Sequence, residues 1–503
     1  MLKTCLLNPL FTEPIDRKRE RYFVRSGSRW PASYTKPTGQ VGRYIPFPFY
    51  LAYAAAILER ASFPVTVADA VAENLPVEAV LSSVREESPD LIVYETTTPT
   101  LSRDLGLARE IKAAAPRAEI ALCGPHATTF PREVLEEEPC IDYVLLYEYE
   151  TTLHELVTKK SNGEDLTSLA GIAYRQDGEI VLQSQYRPID PLDQLPFPAR
   201  HLFPAPRRPD LNVYWDGFCQ HRPAVQMHAS RGCPFGCDFC LWVQVMYQDG
   251  KYRTFSPGRV VDEMQEAVER FGAREIYFDD DDFTINKKHV LGICHEIRNR
   301  GFRVPWSCMA DAVVPDQEMI DAMADAGCVG MKFGVESAAP QILQRLGKPV
   351  DLDRVRQVAR WCSARNVKTH ATITFGLWEE NRETMEMNLS FVKDLDVDSV
   401  QFSITSPFPG TRYFQEMEET GRLKSRNWED YDGSRSAVVA FPHLSLEEIQ
   451  TFCERAPARW LLAKLRDPRW IVRQARYLFR LAGGQGLAGL KGRIKRVREI
   501  VWG

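Results

Sequence analysis

Three cysteines, Cys233, Cys237 and Cys240, stand in the run Gly232-Cys233-Pro234-Phe235-Gly236-Cys237-Asp238-Phe239-Cys240. This CxxxCxxC spacing puts three thiols on one short loop. Thiolate sulfur is a soft ligand suited to iron–sulfur clusters or to zinc. Both usually take four protein ligands. Three ligands on a four-iron cluster leave one iron open to a small molecule. Gly232 and Gly236 let the loop fold tightly, and Pro234 stiffens it. No nearby CxxC or HxxxH pair completes a zinc site. A disulfide would leave one thiol over.

A second chemical signal is Asp279-Asp280-Asp281-Asp282, directly after an apolar run. Adjacent carboxylates repel, and a bound cation would relieve them. An acidic helix cap is the plainer reading. A third is Lys332-Phe333-Gly334-Val335-Glu336-Ser337, which ends another apolar run in a carboxylate.

These residues need elements to hold them. The chain has 503 residues, 44% hydrophobic and 26% charged, enough for two or three cores and ordinary for a folded protein. Up to about residue 160, strands are expected at 4–7, 65–70, 91–95, 118–123 and 142–146. Helical stretches at 46–61, 77–87 and 101–114, near 133 and from 151 separate them. That alternation predicts a doubly wound parallel sheet whose ligand face is the carboxyl ends of its strands. Residues 161–222 read as a linker, and the proline density of 188–198 denies a regular element there. From 223 to 425, strands are expected at 224–230, 275–279, 304–309, 329–335, 369–375 and 399–404, with helices between them. The cysteine loop thus leaves a strand end, where α/β folds hold ligands. The aromatic and Met residues of 241–247 read as packing.

Charge is unevenly placed. From Thr451 onward there are thirteen Lys or Arg against three Asp or Glu, a net of +10, while the whole chain carries −5. The segment 426–503 reads as a helical basic extension. Trp460, Trp470 and Trp502 among its basic residues fit either an interfacial helix or one docked on the barrel. The nine cysteines outside the loop are isolated and read as small buried residues of a reducing cytoplasm. The apolar run at the N-terminus is too short for a signal peptide, and no stretch approaches the ~20 apolar residues that span a bilayer.

The cysteine loop resembles that of the radical S-adenosylmethionine (SAM) enzymes, whose hallmark is CxxxCxxC with an aromatic before the last cysteine; Phe239 fills that place. The first segment resembles the cobalamin-binding domain that precedes many such cores. The matching pieces are Leu7-Asn8-Pro9, Gly124-Pro125-His126-Ala127-Thr128 and Glu148-Tyr149-Glu150-Thr151. Pro125 and Tyr147 stand where that family usually has glycine. The linker resembles those that join the two domains. The resemblance covers about residues 1–425. It implies an α/β architecture: a Rossmann-like cobalamin-binding domain over 1–160, then a partial (β/α)6 TIM-like barrel over 223–425. It implies a [4Fe-4S] cluster on Cys233, Cys237 and Cys240, with the open iron taking the amino and carboxylate groups of SAM. Asp280 and Asp281, in an FxDDxFT-like segment, and Gly334 and Glu336, in a GxES-like one, would lie against SAM. Gly124 and His126 would lie against cobalamin. The DxHxxG motif of mutase-type cobalamin domains is missing from 69–74, so cobalt should lack a histidine from that loop. Trp378 and Glu379 replace the Pro and Gly of a GLPGET-like turn, so the resemblance does not carry an adenine contact to that turn.

The activity so implied is methylation of an unactivated carbon through a 5′-deoxyadenosyl radical and methylcobalamin. A radical cyclisation, ring contraction or rearrangement on the same scaffold is the alternative, and a non-catalytic metal-binding module a remote one. The expected partners are a small-molecule or lipid-linked substrate, an electron donor such as flavodoxin or ferredoxin, and no nucleic acid. The expected location is the cytoplasm, with peripheral membrane contact through the tail.

Overall fold

The structure, a computed structural model, describes residues 1–27, 29–42, 44–204, 214, 217–433 and 436–477. The apolar pentapeptide β1 (Thr4–Asn8) is buried throughout and forms the inner strand of the first sheet. Before the next parallel strand the chain builds a separate antiparallel sheet of β2 (Thr12–Pro14), β3 (Arg19–Val24) and β4 (Ala32–Pro37). The helix α1 (Phe49–Arg60) follows, buried from Phe49 to Leu58. Then come β5 (Val65–Asp69), β6 (Leu91–Glu95), β7 (Glu119–Cys123) and β8 (Tyr143–Leu145). The hairpin β9 (Ile172–Gln176) and β10 (Glu179–Gln183) closes the row. The order is β10-β9-β8-β7-β6-β1-β5, with β9 antiparallel to β8 and the strands from β8 to β5 parallel.

Two expectations change here. Residues 161–222 are not linker throughout, because β9 and β10 extend the first sheet. Asp177 and Gly178 both have positive φ, 52° and 85°, which is the two-residue turn that matches strand twist. Residues 12–37, given no element from sequence, form the antiparallel sheet. Its β3–β4 connection sends Arg25 and Arg29 inward. Arg25 is buried, pairs with Asp104 at 3.2 Å and donates to the carbonyl of Pro9. It therefore sits beside the crevice between β1 and β6, where the strand order reverses and α/β sheets bind ligands.

The second sheet follows sequence order, each strand joined to its parallel neighbour by a crossover. It contains β11 (Ala224–Met227), β14 (Glu275–Phe278), β15 (Trp306–Ala310), β16 (Cys328–Glu336), β17 (Lys368–Phe375) and β18 (Ser399–Ile404), all parallel to their neighbours. This is the open barrel of six strands. A two-residue ladder, β12 (Ser230–Arg231) with β13 (Arg253–Thr254), ties the start of the cysteine loop to its return. The segment after Leu241 is a buried π-helix over Trp242–Met246.

The helix Leu446–Lys464 is capped by Ser445 and Glu448 and docks beside β18. Trp460 and Trp470 are buried edge to face. Their indole N–H groups donate to the carbonyls of Val392 (3.0 Å) and Asp398 (3.2 Å). These two tryptophans therefore dock on the barrel rather than at an interface; Trp502 lies outside the described residues. No helix among the described residues is long and apolar enough to cross a membrane.

Candidate functional site

The residues singled out for chemistry lie at the carboxyl ends of the barrel strands. The cysteine loop leaves β11 through β12 and is held on three sides. The Gly232 amide donates to Asp281 Oδ2 at 2.9 Å. The Gly236 amide donates to the carbonyl of Gly347 at 3.0 Å. A side chain on Gly347 would lie 2.2 Å from the carbonyl oxygen of Gly236, and its φ is +72°, so only glycine fits. Gln244 donates through Nε2 to the carbonyls of Cys237, Asp238 and Cys240 (2.9–3.1 Å) and accepts the Arg412 amide at 2.9 Å. The loop's backbone is thus fixed while its three thiols are left as donors. Burial pushes the Cys237 thiol up to about 12 and the Cys240 thiol up to about 11, and it raises Cys233 as well. The thiols are neutral until a cation claims them. Among the described residues no three His, Cys, Asp or Glu side chains converge tightly enough to hold a single metal ion. A multi-iron cluster, with its ligands spread around it, suits this donor set.

The four consecutive aspartates after β14 do four different things. Asp279 pairs with Arg29 at 2.8 Å. Asp280 is buried and accepts from the Ala229 amide (3.0 Å) and the Ser230 hydroxyl (2.5 Å), so it clamps the end of β11 to the end of β14. Asp281 holds the Gly232 amide and lies 3.7 Å from Arg29. Asp282 is raised well above the carboxylate range by burial and by Asp311 beside it. Thr284 bridges the last pair, donating to Asp282 at 2.8 Å and to Asp311 at 3.3 Å.

Glu336 ends β16 at a bulge in the β16–β17 pairing, with φ +65°, a conformation a side-chain residue adopts at a cost. Its carboxylate accepts from Thr374 at 3.2 Å. A Cβ on Gly334 would lie 1.9 Å from Glu336 Oε1, so Gly334 makes the room that this carboxylate occupies. Burial raises Glu336, with Lys348 opposing. Lys348, buried and donating to the Gly334 carbonyl at 3.1 Å, was not singled out in the sequence. Burial pulls its ammonium down, but the acids around it, Glu336 first and then Asp311, outweigh that and raise it.

On the N-terminal sheet the carboxyl edge is packed differently. Gly124 has φ +98°, and a Cβ there would meet the Thr96 carbonyl oxygen at 2.5 Å, so its glycine is required where the chain leaving β7 closes on the end of its parallel neighbour β6. His126 is buried with Nδ1 3.1 Å from the Thr98 hydroxyl and its ring against Phe130 and Trp428, both at 5.3 Å. Burial lowers it to about 4, so it is a neutral ring. Asn8 keeps a buried side-chain carbonyl oxygen without a partner among the described residues at the end of β1. Glu148 and Glu150, expected in the cofactor domain, instead meet the barrel: Arg231 bonds Glu148 at 2.9 Å and Glu150 at 2.7 Å, with all three side chains fully buried.

A radical SAM superfamily model matches residues 227–392, and a B12 binding domain model matches residues 37–157. An uncharacterized methyltransferase of Pyrococcus horikoshii is 31% identical over 412 residues, 81% of this chain and 86% of that one. The chain belongs to the cobalamin-binding radical SAM enzymes. An anaerobic magnesium-protoporphyrin IX monomethyl ester cyclase of Rubrivivax gelatinosus is 27% identical over 74% of this chain and 66% of that one. Among solved structures, the radical SAM methyltransferase TsrM of Kitasatospora setae superposes with a TM-score of 0.65 at 19% identity, over 90% of this chain and 85% of that one. OxsB, a cobalamin-dependent SAM radical enzyme, gives 0.67 at 15% identity, over 91% and 66%. These two share the architecture of a cobalamin domain ahead of a radical SAM barrel.

The cofactors of a cobalamin-binding radical SAM enzyme are SAM, a [4Fe-4S] cluster and cobalamin, and the residues present fit them. The three thiols form one donor set. Glu336 and Lys348 offer opposite charges at the strand ends, and the buried hydroxyls of Thr405 and Ser406 just after β18 have no partner among the described residues. Asn8, at the carboxyl end of β1, offers an acceptor unused among the described residues that a cofactor could take.

Proposed function

We propose that this enzyme methylates an unactivated carbon of a small molecule. The observation that carries the reading is the pairing of two edges: the three-thiol loop leaves the barrel immediately after Arg231, whose guanidinium is held by the cobalamin domain. When bound, the cluster supplies single electrons, SAM supplies a radical precursor and a methyl source, and cobalamin supplies a methyl carrier. The chain's own part is to bind and orient. Cys233, Cys237 and Cys240 would hold iron. Glu336, on its bulged strand, would accept from the ammonium or ribose of SAM, and Lys348 would balance its carboxylate. Asp280 and Asp281 contribute less directly, since both spend their oxygens on the chain's own groups: Asp280 fixes β11 to β14, and Asp281 fixes Gly232. His126 contributes a neutral wall, and Gly124 the close approach of two strand ends behind it. Methyltransferase relatives support methylation. The cyclase relative supports a second reading, a radical ring closure on the same scaffold. Mass analysis of a substrate pool after turnover with methyl-labelled SAM separates them: label in the product supports methylation, and an unlabelled product lighter by hydrogen supports cyclisation.

The C-terminal segment supports an amphiphilic substrate or a membrane-surface location. Leu462, Leu465, Ile471 and Val472 are 44–52% exposed, four of the seven large exposed apolar residues described, and they lie within eleven positions among basic residues. Apolar side chains flanked by arginine suit an anionic lipid surface.

A further inference from the structure

Both flanks of the cysteine loop are fastened to the N-terminal domain. Before the loop, Arg231 stands two residues from Cys233. Its guanidinium bonds Glu148 at 2.9 Å and Glu150 at 2.7 Å, and none of the three side chains is exposed. Arg253, its pairing neighbour across the β12–β13 ladder, reaches the other oxygen of Glu148 at 2.9 Å, and the Tyr186 hydroxyl donates to that same oxygen. After the loop, the Trp242 indole donates to the Tyr50 hydroxyl at 3.1 Å, and the Tyr247 hydroxyl shares a hydrogen with Tyr50 at 2.7 Å. Tyr50 belongs to α1, and its ring centre lies 4.9 Å from the Arg231 guanidinium carbon; Tyr53, one turn on, lies 5.0 Å away. One helix of the cobalamin domain thus touches the chain on either side of the three thiols.

Stability alone does not ask for this arrangement. A buried ion pair replaced by apolar groups of similar volume usually packs at no loss. What two carboxylates gripping a planar guanidinium add is fixed direction. We propose that Arg231, seconded by Tyr50, is a positioning residue that sets the cysteine loop at a defined angle to the cobalamin domain. The inference rests on the cluster reading of the three cysteines. Its consequence is that the environment of the open iron is set partly by the N-terminal domain, not by the barrel alone.

The test uses the full chain, reconstituted anaerobically with iron and sulfide, in five forms: wild type, Arg231→Met, Arg231→Lys, Tyr50→Phe and Arg200→Met. Arg200 is a control of the same kind, a buried arginine paired with Glu263 at 2.8 Å and donating to the Gln226 carbonyl. The readouts are iron content, melting temperature, and the electron paramagnetic resonance spectrum of the reduced cluster with and without SAM. Arg231→Met is expected to retain iron but to give a shifted, broadened spectrum with a diminished response to SAM. Arg231→Lys, which keeps the charge but loses the two-pronged grip, should restore part of that response. Tyr50→Phe should shift the spectrum less, in the same direction. Arg200→Met should lower the melting temperature and leave the spectrum alone. The proposal is overturned if Arg231→Met and Tyr50→Phe both give the wild-type spectrum, or if Arg200→Met reproduces the change. Should Arg231→Met fail to fold, a wild-type spectrum in Tyr50→Phe overturns it equally. A wild-type chain that takes up no iron removes the cluster reading and this proposal with it, whereas wild-type iron with unchanged variants removes the proposal alone.

Discussion

The two carboxyl edges handle buried acid in opposite ways. On the N-terminal sheet most buried carboxylates are matched by arginine: Asp104 by Arg25, Glu138 by Arg109, and Glu148 and Glu150 by Arg231 and Arg253, while Asp69 and Glu95 accept from the hydroxyls of Tyr214 and Tyr149. On the barrel, Asp311 and Glu336 face a single ammonium, that of Lys348, and Asp282 beside them is pushed well above the carboxylate range by burial and by Asp311. Matched charge makes a joint. Surplus negative charge at a strand end is unfinished, and a ligand carrying an ammonium and a sulfonium, as SAM does, would complete it. The difference separates residues that hold the protein together from residues that wait for something.

The sharpest way to break the comparison is at the thiols. Cys233→Ala, Cys237→Ala and Cys240→Ala are each expected to abolish SAM cleavage, with no 5′-deoxyadenosine detected by mass spectrometry, because no other cysteine stands near enough in sequence to substitute. Cys123→Ala, at a matched and fully buried position, should keep it. Full cleavage by any loop variant would end the cluster assignment.

One pair of substitutions tests joint against site. Asp104→Asn leaves the Arg25 guanidinium uncompensated and should cost about 3 kcal/mol of stability in denaturant titration, with SAM affinity intact. Glu336→Gln should do the reverse: little change in stability and about a tenfold loss of SAM affinity by equilibrium dialysis, worth about 1.4 kcal/mol. Exchange of those two outcomes would invert the assignment of the edges.

Asp280 lies on the boundary and gives a smaller, pH-dependent effect. Burial pushes it up to about 7, so between the ordinary carboxylate value and that point the folded chain holds a proton the unfolded chain has released. Wild-type stability from this group therefore falls as pH rises from about 4 to 7. Asp280→Asn keeps an acceptor for the Ala229 amide and the Ser230 hydroxyl and should escape that fall, so its melting-temperature advantage grows across the range. A flat difference would recast Asp280 as an ionised ligand-binding group.

The smallest effect concerns surplus positive charge. Arg459 and Arg473 are matched closely, to Glu386 and to Asp396 and Asp398, whereas Arg469, 3.7 Å from Asp467, is 92% exposed beside the apolar strip. Leu462→Ser with Val472→Ser is expected to weaken co-sedimentation with anionic vesicles by about tenfold at most. Equal partition of variant and wild type would return this segment to a purely docked role.

Local signals in the sequence carried much of the fold. Apolar runs broken by helical spacing gave both parallel sheets, and the cysteine spacing gave the loop. The β9–β10 hairpin was also there to be seen, since Asp177-Gly178 between two alternating runs is a strong short-range turn signal. The small sheet over 12–37 was harder, because Arg19–Val24 mixes three charges with its apolar residues and exposes one end. The chemistry that escaped is long-range. Lys348 follows a helix in an unremarkable Leu-Gly-Lys-Pro run and matters because folding brings it under Glu336. Glu148 and Glu150 read as cofactor-domain residues, and nothing local says that they close on a guanidinium more than eighty positions away.

The turn between β3 and β4 bears on how freely this protein's parts can be exchanged. Arg29, from the first forty residues, pairs with Asp279 and lies against Asp281 at the barrel mouth; Ser33 bonds Asp432, and Trp30 packs on Phe408. A barrel grafted behind a foreign cobalamin domain would lose that cover unless residues 25–34 travelled with it. The seam for recombination therefore does not follow the linker in sequence, and a working hybrid must inherit a piece of its neighbour.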